Sequence, residues 1–401
     1  MDKHVEDNEV WIVAAKRTPM GKFQGELASF SATDLGGIAI SAALKESGLD
    51  VDVVDEVVMG CVLTAGVGQA PARQAALNAN LNLNTPCTTV NKVCGSGMKA
   101  VMMATTQIRI GEAACAVAGG MESMTNAPYL LPQGRNGMRI GHKTTYDHIF
   151  LDGLQDAYEG ELMGVYGQRT ADALGFSREQ MDEWAVRSAM RAKSAIENAS
   201  FSQETAKIQL DNNSYISNDE LPSSIRVSKI PSLKPAFDSS GTITAANSSA
   251  ISDGAAALVL ISKAKGLDLG LAPLAVVKGQ VTAARRPSEF TLAPLDAIQK
   301  LLKQVQWNRN DVDLWEINEA FAVVTQIAID QLELDSEKVN VKGGACALGH
   351  PIGASGARIL VTLIHALRER ALKSDKPLKG IATLCIGGGE ATAVAIEVPN
   401  S

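Results

Sequence analysis

Residues 91–100 read Asn-Lys-Val-Cys-Gly-Ser-Gly-Met-Lys-Ala, and this stretch decides how the chain is interpreted. It places Cys94 between a predicted strand end and a glycine turn that opens a predicted helix over residues 98–109. The backbone N–H groups and positive dipole end of such a helix are expected to lower the pKa of the thiol. Cys94 is therefore a candidate nucleophile, although an isolated cysteine is more often a small buried hydrophobic residue.

The second half of the chain repeats this plan. An apolar segment at 339–341 leads into a glycine-rich turn through His350, followed by a predicted helix over 354–368 and a predicted strand over 380–385 that ends in the glycines of 387–389. The letters differ from those around Cys94, but the order of strand, small-residue turn, helix and glycine-ended strand is the same. The pattern predicts two similar α/β halves.

Between these units the regular alternation of predicted strands and helices is interrupted. The predicted elements of the first 120 residues are strands at 10–14 and 53–58, helices at 34–46 and 71–80, and a buried strand at 114–118 that ends in Gly119 and Gly120. Residues 121–250 break this alternation with one long predicted helix at 177–198 and a Ser/Asn/Pro-rich stretch over 200–249. We therefore predict an N-terminal half at 1–120 plus 251–270, an inserted loop domain at 121–250 and a C-terminal half at 271–401.

Composition excludes several classes of protein. The chain has 401 residues, of which 46% are hydrophobic and 20% charged, as is typical of a globular protein of two or three domains. A net charge of −7 without a Lys/Arg run disfavours nucleic acid as a partner. No apolar run is long enough to span a bilayer, and the acidic N-terminus lacks a signal or transit pattern, so we expect no membrane and a cytoplasmic location.

Cysteine and histidine usage narrows the chemistry. Six cysteines without a Cys-x-x-Cys pair favour a reducing compartment over a disulfide framework. The glycine clusters lack the spacing of phosphate-binding loops. No metal is expected, because the histidines other than His350 have no ligand spacing and suit surface or core positions; these are His4, His142, His148 and His365.

Three further residues complete a candidate thiol-based site. His350 is predicted to be a neutral imidazole that takes a proton from Cys94, or else a structural hydrogen-bonding residue. Cys385 ends a predicted strand, where its thiol would lie exposed at a cleft as an acid or base, or be structural. Asn318 follows an apolar strand and is either the N-cap of the next helix or a donor that orients a water molecule.

Taken together, these motifs resemble the thiolases, and within them the acetyl-CoA acetyltransferase group. The resemblance covers nearly the whole chain and is carried by residues 17–19, 91–100, 119–124, 247–254, 318–321, 343–356 and 385–389. It implies two similar βαβαβαββ halves in a layered α/β/α/β/α arrangement, with a loop domain inserted in the first half. It also implies a homotetramer built as a dimer of dimers.

The resemblance assigns a role to each candidate. Cys94 would be the acylated nucleophile, His350 would activate it, and Cys385 would remove the α-proton of a second acetyl-CoA. The enolate oxygen would face His350 and a water molecule held by Asn318. The N–H groups of Cys94 and Gly387 would hold the tetrahedral oxyanion.

The positions expected to contact coenzyme A match the family pattern less completely than the catalytic candidates do. Positions that match the family's pantetheine, adenine or acyl contacts are Leu154, Met163, Arg226, Phe237, Ala245, Ser249 and Phe321. Two places depart from the family pattern. Leu162 stands where the family usually has histidine, which removes a polar contact near the bound thioester. Residues 290–294 read Phe-Thr-Leu-Ala-Pro where the family usually has Met-Gly-x-Gly-Pro, so Phe290 is expected to add bulk to a loop near the acyl site.

The implied activity is condensation of two acetyl-CoA molecules to acetoacetyl-CoA and CoA, and the reverse thiolysis, through an acetyl-cysteine. Coenzyme A thioesters are the expected substrates, and no separate cofactor is expected. One alternative is a degradative 3-ketoacyl-CoA thiolase of fatty acid metabolism that accepts longer chains. Another, of a different class, is a non-catalytic acyl-CoA-binding protein on the same fold, which would need none of the four candidate residues.

Overall fold

A computed structural model describes residues 9–210 and 214–400 of the chain. His4, the N-terminal segment 1–8 to which no signal was assigned, and Ser401 lie outside the described residues. The first group of elements, in chain order, is β1 (Val10–Arg17), β2 (Gly21–Lys22), α1 (Ala32–Ser47), β3 (Glu56–Gly60), α2 (Pro71–Asn78), β4 (Cys87–Val90), α3 (Ser96–Arg109) and β5 (Cys115–Ser123).

The middle of the chain holds shorter strands and one long helix. Its elements are β6 (Tyr129–Leu130), β7 (Tyr146–Asp147), a π-helical turn (Phe150–Leu154), α4 (Met163–Leu174), α5 (Arg178–Glu197), β8 (Ile208–Gln209), β9 (Tyr215–Ile216) and α6 (Leu221–Ser224). The predicted helix at 177–198 is confirmed as α5, and Ser177 caps it through a reciprocal pair of bonds with Gln180.

The chain then returns to the sheet. These elements are β10 (Ser252–Ser262), α7 (Lys263–Asp268), β11 (Ala275–Ala284), α8 (Ala293–Val305), β12 (Leu314–Ile317), α9 (Ala322–Gln331), α10 (Ala345–Leu348), α11 (Ser355–Ala371), β13 (Leu378–Ile386) and β14 (Glu390–Val398). The predicted loop-domain limits at 121 and 250 stay a prediction; β5 leaves the sheet after Ser123 and β10 re-enters it at Ser252.

Strand order shows the internal repeat directly. The first half has the order β4-β3-β5-β10-β1, and the second has β12-β13-β14-β11. In the second half Val339 forms a parallel bridge to Trp315, at the position that β4 occupies in the first. The two half-sheets join only where β1 meets β11, at two residue pairs within the described chain. The predicted fold of two similar halves is confirmed.

Helices pack on both faces of each half-sheet and produce five layers. Helices α1 and α2 cover the outer face of the first half-sheet, and α8 covers that of the second. Helices α3 and α11 lie together between the two half-sheets. Fourteen of the 17 residues of α11 are buried, in agreement with this central position. Among the described residues no helix is long and apolar enough to cross a membrane.

The two central helices approach each other at glycines. A Cβ atom added to Gly97 would lie 2.9 Å from Gly353 O and from Ala357 N, and one added to Gly356 would lie 2.5 Å from Met98 N. Side chains larger than hydrogen therefore cannot occupy either position without moving a backbone. This contact holds the beginning of α3 against the beginning of α11.

Strand β5 corrects one expectation from the sequence. Gly119 and Gly120 were expected to end the strand, but β5 continues through them to Ser123. A Cβ on Gly119 would lie 2.0 Å from Ala256 O, and one on Gly120 would lie 2.0 Å from Gly353 O. Here glycine permits close approach of neighbouring backbones inside a strand and does not mark a turn.

Buried ion pairs attach the inserted segment to the first half. Arg17, at the end of β1, donates from Nε to Glu204 at 2.6 Å and from both terminal nitrogens to Asp219 at 2.6 and 2.9 Å. All three side chains are buried. Because an unpaired buried charge is costly, the two acids and the arginine must be placed together, which fixes the insert on the sheet.

We expect Gly97→Ala to lower the free energy of unfolding by about 1–3 kcal/mol, the usual cost of overpacking a core. Urea unfolding followed by circular dichroism measures this. Gly134→Ala is the matched control, because a Cβ there would meet only Leu131, at 3.7 Å. Equal stability of the Gly97→Ala variant and the unmodified protein would show that the central helices can separate without cost.

Candidate active site

Cys94 lies in a tight loop between β4 and α3. Ser96 holds this loop, since its hydroxyl accepts from Lys92 N at 2.8 Å and donates to Val93 O at 2.6 Å. Val93 has a φ of +45°, which is rare for a β-branched residue. Such strain persists only where surrounding bonds impose it, and it is found mostly at functional sites. Sequence reasoning gave Ser96 no role.

The thiol of Cys94 is partly buried and its environment corrects the prediction. Burial raises the pKa of Cys94 to about 11, although the N–H groups of Gly387 and of Cys94 itself act to lower it. The negative charge of Glu122 also raises it. Those N–H groups act in the expected direction, but the net shift of the pKa is upward, because the cost of desolvating a thiolate exceeds the gain from those donors.

Cys385 lies at the end of β13, beside a hairpin turn. Gly388 and Gly389 have φ of +89° and +90°, so this turn requires glycine. Cys385 is buried, not exposed as expected. Burial raises its pKa well above the ordinary value, and the charge of Cys94 raises it further. The two thiols therefore lie close enough for the ionisation of one to oppose that of the other.

His350 bonds to Ser355 through Nδ1. Nδ1 lies 2.6 Å from Ser355 Oγ, and that hydroxyl also lies 2.9 Å from Pro351 O, to which it can donate. With the hydroxyl hydrogen directed at Pro351 O, Nδ1 carries the proton and donates to Ser355, and Nε2 keeps a lone pair. Burial, with the positive charge of Arg358, lowers the pKa of His350 to about 3. The imidazole is neutral at neutral pH and can accept a proton at Nε2.

Ser355 was missed at the sequence level although it belongs to the quoted run 343–356. A serine at the start of a helix, five residues after a candidate base, is the signal that would have identified it. The other described histidines have ordinary partners. His148 Nδ1 pairs with Asp152 at 2.6 Å, His365 Nε2 bonds Ala15 O at 2.8 Å, and His142 is exposed.

Asn318 is not an N-cap. Helix α9 begins four residues later and its cap is Phe321, so that interpretation is wrong. The backbone N–H of Asn318 donates to Thr383 O at 3.0 Å. Both polar atoms of its buried side chain have no hydrogen-bond partner within the described chain. A buried amide with no protein partner is suited to binding a water molecule or a ligand.

A cavity of about 330 Å³ opens beside His350, and Cys94, Asn318 and Cys385 lie outside its lining. Its walls are mainly apolar and include His350; the predicted binding residues among them are Leu154, Met163, Phe237, Ala245, Ser249 and Phe321. Arg226 is exposed and lies outside the lining. The cavity adjoins the thiol end of the site, because Met163 also reaches the Gly387 turn, where an added Cβ would lie 3.5 Å from its sulfur. Its apolar walls suit a largely apolar ligand chain.

The two departures from the family pattern lie in different places. Leu162 lines the cavity. Phe290 is buried behind it and is not part of its lining. Its ring packs edge-on against Phe321 at 6.4 Å, and Phe321 packs in turn against Phe237 at 6.0 Å. Phe290 therefore supports one wall of the cavity from outside.

Known protein families match almost all of the chain. The model of the family described as "Thiolase, N-terminal domain" matches residues 10–264, and that described as "Thiolase, C-terminal domain" matches residues 271–398. The boundary between the two matches falls between β10 and β11, where the strand order begins to repeat.

Curated relatives and a solved structure agree with these matches. An acetyl-CoA acetyltransferase of Cupriavidus necator is 45% identical over 394 residues, which cover 97% of this chain and 99% of that protein. One from Escherichia coli K12 is 47% identical with the same coverage. The crystal structure of a thiolase from Ascaris suum in complex with coenzyme A has a TM-score of 0.92 and 41% identity, and covers 97% of this chain and 100% of that one.

The raised pKa of Cys94 predicts how its thiol reacts in the free protein. Because the thiolate is the reactive form, alkylation by iodoacetamide should accelerate about tenfold per pH unit between about pH 7 and 10. Peptide mass mapping resolves Cys94 from Cys61 and Cys115, which are fully buried controls and should stay unlabelled. A plateau below about pH 8 would indicate a thiolate paired with protonated His350 and contradict this assignment.

Proposed function

The chain belongs to the thiolase family, and we propose on this basis that it is an acetyl-CoA acetyltransferase. It condenses two acetyl-CoA molecules to acetoacetyl-CoA and CoA and catalyses the reverse thiolysis, with coenzyme A thioesters as substrates and no separate cofactor. The observation that carries the proposal is the neutral His350, which lines an apolar cavity and whose Nε2 has no partner among the described residues, together with two thiols that interact with each other.

The first half-reaction acylates Cys94. His350 Nε2 accepts the thiol proton as the sulfur attacks the thioester carbonyl, which supplies the thiolate that the raised pKa otherwise disfavours. The N–H groups of Cys94 and Gly387 face the reacting sulfur and donate to the oxyanion of the tetrahedral intermediate, which stabilises its charge. Collapse breaks the carbon–sulfur bond to CoA, and Cys385 protonates the departing CoA thiolate. The products are acetyl-Cys94, free CoA, protonated His350 and a Cys385 thiolate.

Acylation prepares the second half-reaction electrostatically. Acetyl-Cys94 cannot ionise, so repulsion between two thiolates cannot arise; burial still raises the pKa of Cys385, but the proton now on His350 favours a thiolate nearby. The Cys385 thiolate takes an α-proton from the second acetyl-CoA. The enolate oxygen accepts from His350 Nε2–H and from a water molecule held by Asn318.

Carbon–carbon bond formation then restores the resting state. The enolate carbon attacks the carbonyl of acetyl-Cys94, and the Cys94–carbonyl bond breaks to release acetoacetyl-CoA. The Cys94 thiolate takes back the proton from His350, while Cys385 keeps the α-proton as a thiol. Each residue is regenerated, and the sum is two acetyl-CoA to acetoacetyl-CoA and CoA.

We also propose a homotetramer located in the cytoplasm. The tetramer rests on the family resemblance, and its mass by light scattering tests it. The location is supported by the cysteines, all of which are free thiols, as a reducing compartment maintains them.

Replacing Cys385 should separate the two half-reactions. Cys385→Ala should still acquire an acetyl group on Cys94 from acetyl-CoA, detected by peptide mass mapping, but lose about 10²–10⁴-fold in condensation because the carbon acid lacks its base. Cys87→Ala removes a partly buried thiol on β4 and serves as the control, with both steps retained. Condensation by Cys385→Ala at a normal rate, or labelling of Cys385 in place of Cys94, would refute the assigned roles.

Chain-length preference should respond to Leu162 more than to Phe290. Leu162→Ala enlarges the cavity directly, and since one methylene in such a pocket changes selectivity by roughly 10–200-fold, kcat/KM should shift toward longer 3-ketoacyl-CoA substrates. Phe290→Ala acts only through the ring of Phe321 and should shift the ratio less. Thiolysis rates over a chain-length series test both variants. A larger shift in Phe290→Ala would mean that the acyl chain extends behind Phe321.

A further inference from the structure

Glu319, the residue that follows Asn318, is a buried acid that the reaction described above does not use. Its carboxylate accepts a hydrogen bond from each of four donors. Oε1 accepts from Trp184 Nε1 at 3.0 Å and from Asn340 Nδ2 at 2.9 Å. Oε2 accepts from Ser188 Oγ at 2.7 Å and from Cys346 N at 3.0 Å. Four donors fully satisfy a buried carboxylate, so it is held firmly in one position.

The four donors come from separate parts of the molecule. Trp184 and Ser188 belong to α5 in the inserted segment. Cys346 belongs to α10, which leads directly to His350. The carboxylate therefore connects the inserted segment, the loop with Asn318 and the loop with His350.

The loop before His350 is shaped around this carboxylate. A Cβ on Gly344 would lie 2.3 Å from the carboxyl carbon of Glu319, so only glycine allows this approach. The N–H of Gly344 also donates to Ser188 Oγ at 2.9 Å. Glycine at position 344 thus makes room for the Glu319 carboxylate.

Asn318 depends on its neighbours for position. Its side chain has no hydrogen-bond partner within the described residues, so its place is set by its backbone. That backbone is held on one side by Thr383 and on the other by the buried Glu319. His350 is anchored independently, through Ser355 and through its own N–H to Ala250 O at 3.0 Å.

We propose that Glu319 is a positioning residue that holds Asn318 at the distance from His350 that the enolate oxygen requires. The inference rests on the proposed condensation chemistry and deepens it. Acylation of Cys94 needs His350 and Gly387 but not Asn318, whereas enolate formation needs Asn318. Loss of the Glu319 carboxylate should therefore affect the second half-reaction selectively.

Glu319→Gln is a sharp test, because an amide nitrogen cannot accept. At the Oε1 position it would face two fixed donors, since Trp184 can only donate and the amide oxygen of Asn340 already accepts from Ile317 N at 2.8 Å. At the Oε2 position the Ser188 hydroxyl can turn, but the Cys346 N–H cannot. Glutamine therefore loses the connection to the loop with His350 while keeping the connection to Trp184.

The experiment measures the two half-reactions on the same folded enzyme. Acetylation of Cys94 by acetyl-CoA is followed by mass spectrometry, and condensation by exchange of acetyl-CoA α-protons with deuterium and by acetoacetyl-CoA turnover. In Glu319→Gln we expect acetylation to stay within a few-fold and α-proton exchange and turnover to fall by roughly 10²-fold, as expected for a misplaced catalytic group. Glu183→Gln, the same change at an exposed position on α5, is the control and should leave both steps nearly unchanged.

Ser188→Ala removes one donor to Oε2 and should show a smaller selective loss of α-proton exchange and turnover. This variant provides the test if Glu319→Gln folds poorly. Equal loss of both steps in proportion to the folded fraction, or no loss of either, overturns the positioning role and leaves the proposed function intact. Absence of acetyl-Cys94 in the unmodified enzyme overturns the proposed function and the inference with it.

Discussion

The close contact of the two central helices is the constraint on which the rest of the structure depends. Helices α3 and α11 meet at Gly97 and Gly356, where backbone lies against backbone. Each helix begins immediately after a loop that carries a reactive side chain, Cys94 in one half and His350 in the other. Any residue that separated the helices would separate the proposed nucleophile from its proposed base, so packing at the centre of the fold sets the geometry of the proposed chemistry.

Burial at this centre determines the charge state of the site. Desolvation raises the pKa of Cys94 and Cys385 and lowers that of His350, so the resting site is uncharged. A proton transfer between neutral partners creates a pair of opposite charges that stabilise each other in a medium of low dielectric constant. In the proposed reaction the thiolates therefore form by proton transfer and are not present in the resting site. The strained backbone at Val93 lies in the same loop.

The inserted segment contributes to the site as well as covering it. It supplies Met163 and Phe237 to the cavity wall and Trp184 and Ser188 to the carboxylate of Glu319. Its attachment through buried charges on Arg17 keeps it in a single orientation. The acyl cavity and the catalytic residues are thereby held as one unit, although they come from distant parts of the chain.

The sequence predicted which residues could take part in the chemistry, but it did not predict the distances between secondary-structure elements. The glycine-flanked stretches around Cys94, His350 and Cys385 indicated the repeat, the family and the candidate residues, because turn and helix-start signals are local. Other features depend on contacts between residues far apart in the chain. They are the burial that raises the pKa of Cys94, the cap of α9 at Phe321 in place of Asn318, and the position of Phe290 behind Phe321. The sequence contains Ser355 and Glu319 but does not indicate their roles, which follow from hydrogen bonds that only the packed structure creates. Residue type and order determine what each segment can do, whereas desolvation and partner geometry, which are tertiary properties, decide what it does.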